Sequence, residues 1–230
     1  MKNLLYKEFR LSVHPLAYFI MALLCSEALS PKTPVFASII FIGMSYLFTF
    51  IGMNKSASTN DLFYTCTLPI NRKDVIKARL CTLTVFQIIS LVLICSFAAI
   101  NNFIFIPGMI AAGKTDMMPQ FSVDMHQGLW LLGSFLIAIV VYDLIYLPWY
   151  YSNGKSLILN TLCATIGCTI TIAILTIVPF FTFNDLITVG GPNANYFLQV
   201  GFLVFAIAIW IGSKFLLTKI CTKKLKKLDF

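Results

Sequence analysis

The sequence has few charged residues, only two histidines and no closely spaced cysteine pair. Charged residues make up 11% of the 230-residue chain, whereas soluble domains carry roughly 25%. Such a chain could not bury, as a soluble domain, the 59% of its residues that are hydrophobic. The seven cysteines include no Cys-x-x-Cys motif, so neither a disulfide framework nor a metal site is predicted.

Six apolar runs are long enough to be membrane spans. A helix needs about 20 residues to cross the roughly 30 Å of hydrocarbon in a bilayer. The runs cover residues 15–30, 35–53, 80–106, 128–147, 157–181 and 196–217. The sequence therefore predicts an all-α integral membrane protein with six transmembrane helices.

The basic residues are distributed unequally about these spans. If the N-terminus is cytosolic, all 17 lysines and arginines except Lys32 and Lys114 fall on the cytosolic side. Short loops rich in lysine and arginine stay in the cytosol, so both termini are predicted to be cytosolic, with Lys214 and a basic tail at 218–230 on that side. Membrane lipids of negative charge explain the net charge of +8, and no nucleic-acid partner is needed.

Residues 1–13 differ in pattern from the spans. At helical spacing Leu5 and Phe9 share one face, while Lys7 and Arg10 share another. This pattern is typical of an amphipathic helix that lies in the membrane interface. The alternative is a ragged cytosolic start of the first span. No cleavable signal peptide is predicted, because the first apolar run ends without a small-x-small site.

The loop at residues 54–79 is the largest predicted cytosolic segment. Asn60 and Asp61 can cap a short helix, a proline follows, and Asn71 opens a second helix that runs into the third span. The short helix presents the apolar side chains of Leu62, Phe63 and Tyr64. We predict that this loop docks another protein. The alternative is an ordinary charged loop whose apolar residues touch lipid headgroups.

Residues 108–115 match the nucleotide-binding pattern G-x-x-x-x-G-K-[ST], and residues 139–143 look like a Walker B strand. A phosphate-binding loop requires a preceding strand and a following helix. Here a predicted span precedes the motif, and the predicted topology places it outside the cell. Asp143 falls on the opposite side of the membrane. No nucleotide site is therefore predicted in this chain.

Intramembrane catalysis is not predicted either. It requires a serine with a histidine, a cluster of metal ligands, or several arginines at one depth. His14 and His126 fall on opposite sides of the membrane, and no arginine lies inside a span. The carboxylates within spans are Glu27 and Asp143, which lie near span ends, where structural anchoring is a better explanation than an ion relay.

Two segments resemble the permease subunit of bacterial ABC-2 type exporters. One is the opening MKNLLYKEFR at residues 1–10. The other is Asn60-Asp61 followed by LPINRKDVIKAR at residues 68–79, which is similar to the "ND … LPI-x-R-K-x-I-V-x-A-R" stretch of one branch of that family. The layout of spans and loops is similar over all 230 residues.

The resemblance implies a half-transporter in the bacterial cytoplasmic membrane. It would pair with a second permease copy, or with a related permease, over two cytosolic ABC ATPase subunits that bind ATP and magnesium. This chain itself would bind no cofactor and carry no catalytic site. A coupling helix is implied at residues 59–68, with a smaller inner contact at 148–155. The implied contact residues are Asn60, Asp61, Leu62, Phe63, Tyr64, Leu68, Pro69, Ile70, Arg72 and Lys73.

The implied transport is export along the seam between two permeases, because the outer loops at 107–127 and 182–195 are short. The apolar interior suits an amphipathic or hydrophobic substrate, such as a peptide or a lipid-like molecule. Two alternatives remain open. One is an ATPase-independent secondary carrier or channel, and the other is an immunity or interaction protein that transports nothing.

The fifth predicted span carries threonines on one helical stripe. Their spacing of four, four and seven residues places the hydroxyl groups in line. The stripe consists of Thr161, Thr165, Thr169 and Thr176, with Cys168 beside it. We predict that it faces the dimer seam or the translocation path. The alternative is local packing, in which each hydroxyl donates to the carbonyl four residues earlier.

Overall fold

The described part of the chain is helical. The computed structural model describes residues 2–7, 70–100, 128–152, 157–187 and 195–226, together with positions 104, 108 and 111. Its five helices are α1 (Lys2–Lys7), α2 (Arg72–Ile100), α3 (Gly128–Tyr150), α4 (Leu157–Ile187) and α5 (Tyr196–Lys226). These ranges contain no strand, which agrees with the all-α prediction.

Four of these helices coincide with the predicted third to sixth spans. The segments Leu132–Tyr150 and Tyr196–Lys226 are long and apolar enough to cross a membrane, and Leu159–Leu175 is a shorter apolar segment. The predicted spans at 15–30 and 35–53 lie outside the described residues. The count of six spans and the sidedness of the termini therefore stay predictions.

The start of α2 is set by Asn71, as the sequence predicts. The Asn71 side-chain oxygen accepts a hydrogen bond from the backbone N–H of Lys73 at 3.1 Å, which satisfies a donor that has no partner within the helix. The Asn71 carbonyl accepts the N–H of Asp74 at 2.8 Å. The helix then continues without a break into the apolar run that begins at Leu80.

The short helix α1 packs against the first turns of α2. Leu4 is buried against Val75 and Ala78, while Tyr6 is 58% exposed. Leu5, on the predicted apolar face, packs against the same cluster. The location of residues 1–13 in the membrane interface stays a prediction. The exposed Tyr6 is a side chain suited to the membrane interface.

The helix α3 lies at the centre of the described core. It packs against both α4 and α5, and α2 packs against α5. Most of α3 is buried, whereas α5 exposes most of its equally apolar surface. Phe197 and Phe215 of α5 are 88% and 70% exposed. Surfaces of this kind are stable only against lipid or another protein.

The helices α3 and α5 pack closely at Gly133. A Cβ atom built on Gly133 would lie 2.7 Å from two ring atoms of Phe202. The Phe202 ring is stacked on Trp130 with a centroid separation of 4.0 Å. Trp130 is itself held in place, because its indole N–H donates to the Leu175 carbonyl at 2.9 Å. A side chain at position 133 would therefore have to displace the Phe202 ring, which favours glycine at this contact.

We expect Gly133→Ala to lower stability by about 1–3 kcal/mol, because the stacked Phe202 ring has to move to admit a methyl group. Gly201→Ala is the matched control, since nothing lies within 4 Å of its Cβ position and alanine favours a helix. Thermal unfolding of the purified protein in detergent measures both. If the two variants had the same melting temperature, the contact between Gly133 and Phe202 would have room for a methyl group, contrary to this prediction.

Candidate functional site: a buried ion pair shared by three helices

An ion pair lies inside the described helix bundle. The ammonium nitrogen of Lys214 on α5 is 2.6 Å from Oδ2 of Asp143 on α3. The Asp143 side chain is fully buried, and the Lys214 side chain is only 17% exposed. An ionised carboxylate in such a place requires a partner, because transfer of an isolated charge out of water costs several kcal/mol or more.

Gln87 of α2 extends the pair to a third helix. Its amide nitrogen donates to both carboxylate oxygens of Asp143 at 3.1 Å. Its amide oxygen accepts a hydrogen bond from Lys214 at 2.9 Å and one from the indole N–H of Trp210 at 3.2 Å. The Gln87 amide therefore donates to the negatively charged partner and accepts from the positively charged one.

Trp210 also contributes directly to the setting of the cation. The Lys214 nitrogen lies 5.3 Å from the centroid of the Trp210 ring, within the range of a cation–π interaction. Trp210 is one helical turn before Lys214, so both side chains project from the same face of α5. We refer to Gln87, Asp143, Trp210 and Lys214 together as the buried network.

The buried network lies towards the basic end of the bundle, by which we mean the start of α2 and the end of α5. Lys214 is about 27 Å along α5 from Tyr196, at 1.5 Å per residue. That distance is close to the thickness of the hydrocarbon core. Lys214 is predicted to lie on the cytosolic side of the membrane, and that sidedness stays a prediction. Its ammonium group contacts Asp143 inside the bundle.

A row of tyrosines continues this polar interior along α3. Tyr142, Tyr146 and Tyr150 are buried, and their ring centroids are separated by 5.8 and 6.2 Å. Tyr151 packs edge-on against Tyr150 at 5.1 Å. Arg79 of α2, also buried, brings a positive charge near Tyr146. Polar groups are therefore concentrated at the basic end of the bundle.

The residues of the threonine stripe on α4 differ in exposure. Thr161 and Cys168 are buried, Thr165 is half-buried and Thr169 is exposed. The Tyr142 hydroxyl of α3 faces Thr161 and Thr165. The side chain of Thr176 lies outside the described residues. The stripe therefore spans the boundary between the α3 contact and the open surface of α4.

Two threonines on this stripe make the local hydrogen bonds that the packing alternative predicts. Thr165 donates to the Thr161 carbonyl at 2.8 Å, and Thr169 donates to the Thr165 carbonyl at 2.8 Å. Such bonds satisfy the hydroxyl group within one helix. They leave the prediction of a seam or path untested, because a partner surface could still contact Thr169.

Most of the predicted coupling contact falls outside the described residues. This applies to Asn60, Asp61, Leu62, Phe63, Tyr64, Leu68 and Pro69. Of the remaining three, Ile70 packs against the cluster formed by Leu4, Val75 and Ala78. Lys73 is exposed. Arg72 donates from Nη1 to the Leu225 carbonyl at 2.9 Å, so it joins the start of α2 to the end of α5.

Sequence reasoning missed the roles of Gln87, Trp210 and Lys214. A signal for one of them was present, because Lys214 is the one charged residue in the predicted span 196–217 and Asp143 is the one in span 128–147. Opposite charges in two membrane helices are expected to pair. Gln87 carried no such signal, since a lone glutamine in a span has many possible partners.

The family comparison covers nearly the whole chain. The family described as "ABC-2 family transporter protein" matches residues 3–222, a range that includes the buried network and all five helices except Lys2 at the start of α1 and the last four residues of α5. No curated protein and no solved structure shows significant similarity to the chain. The chain therefore belongs to the ABC-2 transporter family and is a membrane permease of an ABC-type transporter.

Proposed function

We propose that the chain is the permease subunit of an ATP-binding cassette exporter. Two permease copies form a path for an amphipathic or hydrophobic substrate, such as a peptide or a lipid-like molecule. Separate cytosolic ATPase subunits bind ATP and magnesium and supply the energy. The family match over residues 3–222 is the observation that carries this proposal.

The buried network supports a mechanical role for the bundle. It fastens α2, α3 and α5 to one another through charged hydrogen bonds, which are about twice as strong as neutral ones. Arg72 adds a further fastening between α2 and α5 at the basic end. Movement delivered to the loop before α2 then shifts several helices together, as an ATPase-driven permease requires.

The open face of α4 supports contact with a second permease. Five apolar side chains recur there at helical spacing and are each more than half exposed: Leu159, Leu162, Ile166, Ile170 and Ile174. At the edge of this row, Gly167 lies against Ile145 of α3. Thr169 is also exposed on α4, so one residue of the predicted seam is accessible to a partner.

We expect Thr169→Cys to crosslink between two permease copies in an otherwise cysteine-free protein, because its side chain lies on this open face. Thr161→Cys is the matched control and should not crosslink, since Thr161 is 7% exposed within its own chain. Substrate should protect Thr169→Cys if the seam is also the path. Free labelling of Thr169→Cys by lipid-soluble probes, without any crosslink, would place this face against lipid.

The proposed function is tested by co-purifying the chain with the ATPase encoded beside its gene. We expect the permease to stimulate ATP hydrolysis, and export of an amphipathic peptide from vesicles to require that hydrolysis. An ATPase variant that binds but does not hydrolyse ATP provides the control. Export that continues with this variant would contradict an ATP-driven mechanism.

A secondary carrier is the second candidate, and the buried network is the observation that favours it. Acid–base pairs inside membrane helices occur in proton-coupled transporters. This candidate predicts transport without the ATPase, abolished by an ionophore that dissipates the proton gradient. The exporter predicts the opposite response to each treatment, so the two candidates are separated by one vesicle assay.

A further inference from the structure

A groove lies between α2 and α5 on the outer surface of the basic end. Its volume is about 530 Å³. The described residues that line it include four lysines, two on each helix, and no acidic side chain. The lysines are Lys73, Lys77, Lys214 and Lys219. The charge of Lys214 is balanced by Asp143. The other three lysines repel one another, and an anion between them relieves that repulsion.

The same groove also has apolar lining residues. Leu80 and Phe215 line it, and Phe215 is 70% exposed. Lys73, Lys77 and Leu80 follow one another at helical spacing on α2, so they form one strip that passes from charged to apolar residues. The groove therefore offers a place for a negative headgroup and, next to it, a place for an acyl chain.

The position of the groove along the helices matches this division. The hydrocarbon core is about 30 Å thick, and α5 with its 31 residues is about 46 Å long. Lys214 lies near the edge of the core when Tyr196 is placed at the opposite edge. Lys219 lies about one and a half turns further on, at the level of the lipid headgroups.

We propose that this groove is a binding site for one anionic phospholipid. The phosphate lies among Lys73, Lys77 and Lys219, and an acyl chain lies along Leu80 and Phe215. A soluble anion would use only the lysines, whereas a phospholipid uses both parts of the groove. The site is distinct from general attraction of basic loops to the membrane, because it has walls on two helices.

Lys214 connects the groove to the interior of the bundle. Its ammonium group is held by Asp143 and Gln87, and its side chain also lines the groove. A lipid phosphate in the groove thus adds negative charge beside the buried network. The bound lipid stabilises the cation from the outside, while Asp143 stabilises it from the inside.

The proposal is tested by native mass spectrometry of the delipidated full-length protein. Phosphatidylglycerol and phosphatidylcholine with the same acyl chains are titrated separately. We expect one phosphatidylglycerol to bind more tightly than phosphatidylcholine. Lys77→Gln/Lys219→Gln should weaken its binding about 30-fold, from the contribution of two lysines at a membrane surface. Lys77→Arg/Lys219→Arg keeps both charges and should bind as the parent does.

Lys223→Gln/Lys226→Gln is the matched control. It removes two charges from the same end of α5 at exposed positions that do not line the groove, so it should leave binding unchanged. Equal losses in the two glutamine variants would reduce the effect to general attraction and overturn the proposal. Binding of phosphatidylcholine as tight as that of phosphatidylglycerol, or full competition by inorganic phosphate, would also overturn it.

Discussion

Replacing Lys214 with methionine is expected to destabilise the folded protein by about 3–5 kcal/mol, the usual cost of removing one partner of a buried ion pair. Asp143 is fully buried and would lose its only charged partner among the described residues. Gln87 can still donate to the carboxylate, but a neutral amide does not balance a full negative charge. The fraction of protein that stays monodisperse after heating in detergent measures the effect.

Lys223→Met is the matched control for this prediction. It removes the same charge from the same helix at an exposed position, so its effect should be small. The double variant Asp143→Asn/Lys214→Gln should recover much of the lost stability, because neither member of the pair is then left as a lone buried charge. If Lys214→Met and Lys223→Met melt at the same temperature, the buried network does not stabilise the fold.

Replacing Leu62 with aspartate is expected to abolish co-purification of the permease with its ATPase and to stop export. The expectation rests on the predicted docking of residues 59–68 in a groove of the ATPase. An unpaired carboxylate buried in such an interface costs about 3–5 kcal/mol, which weakens binding by a factor of roughly 150 to 4,000. Phe63→Asp should have the same effect.

Ser56→Asp provides the control, because it adds the same charge to the same loop outside the predicted contact. Its protein should co-purify with the ATPase as the parent does. A Leu62→Asp variant that still co-purified and exported normally would show that the docking surface lies elsewhere. Loss of ATPase binding in both variants would instead indicate that a negative charge anywhere in this loop prevents binding.

The described helices were predictable from the sequence because local signals define them. Asn71 marks the start of α2, and long apolar runs mark α3, α4 and α5. Their ends were less predictable. The helix α5 continues to Lys226, beyond the predicted span 196–217, because hydrophobicity marks the thickness of the membrane while helical hydrogen bonding continues past it.

The candidate site was predictable only in part. Asp143 stood out as a charge inside an apolar run, but its partners are 56 and 71 residues away in the sequence. No periodic pattern links positions at such separations. The threonine stripe was recognised from its spacing, yet spacing alone cannot decide whether a hydroxyl faces α3, a second permease or its own helix.

The two attachments between α2 and α5 have a geometric consequence. One joins Arg72 to Leu225, and the other joins Gln87 to Lys214. Along α5 the two points are about 16 Å apart. A single attachment would act as a pivot, whereas two separated attachments fix the angle between the helices as well as their distance. The helices α2 and α5 are then expected to move together as one rigid unit, with any bending in the segments that lead into them.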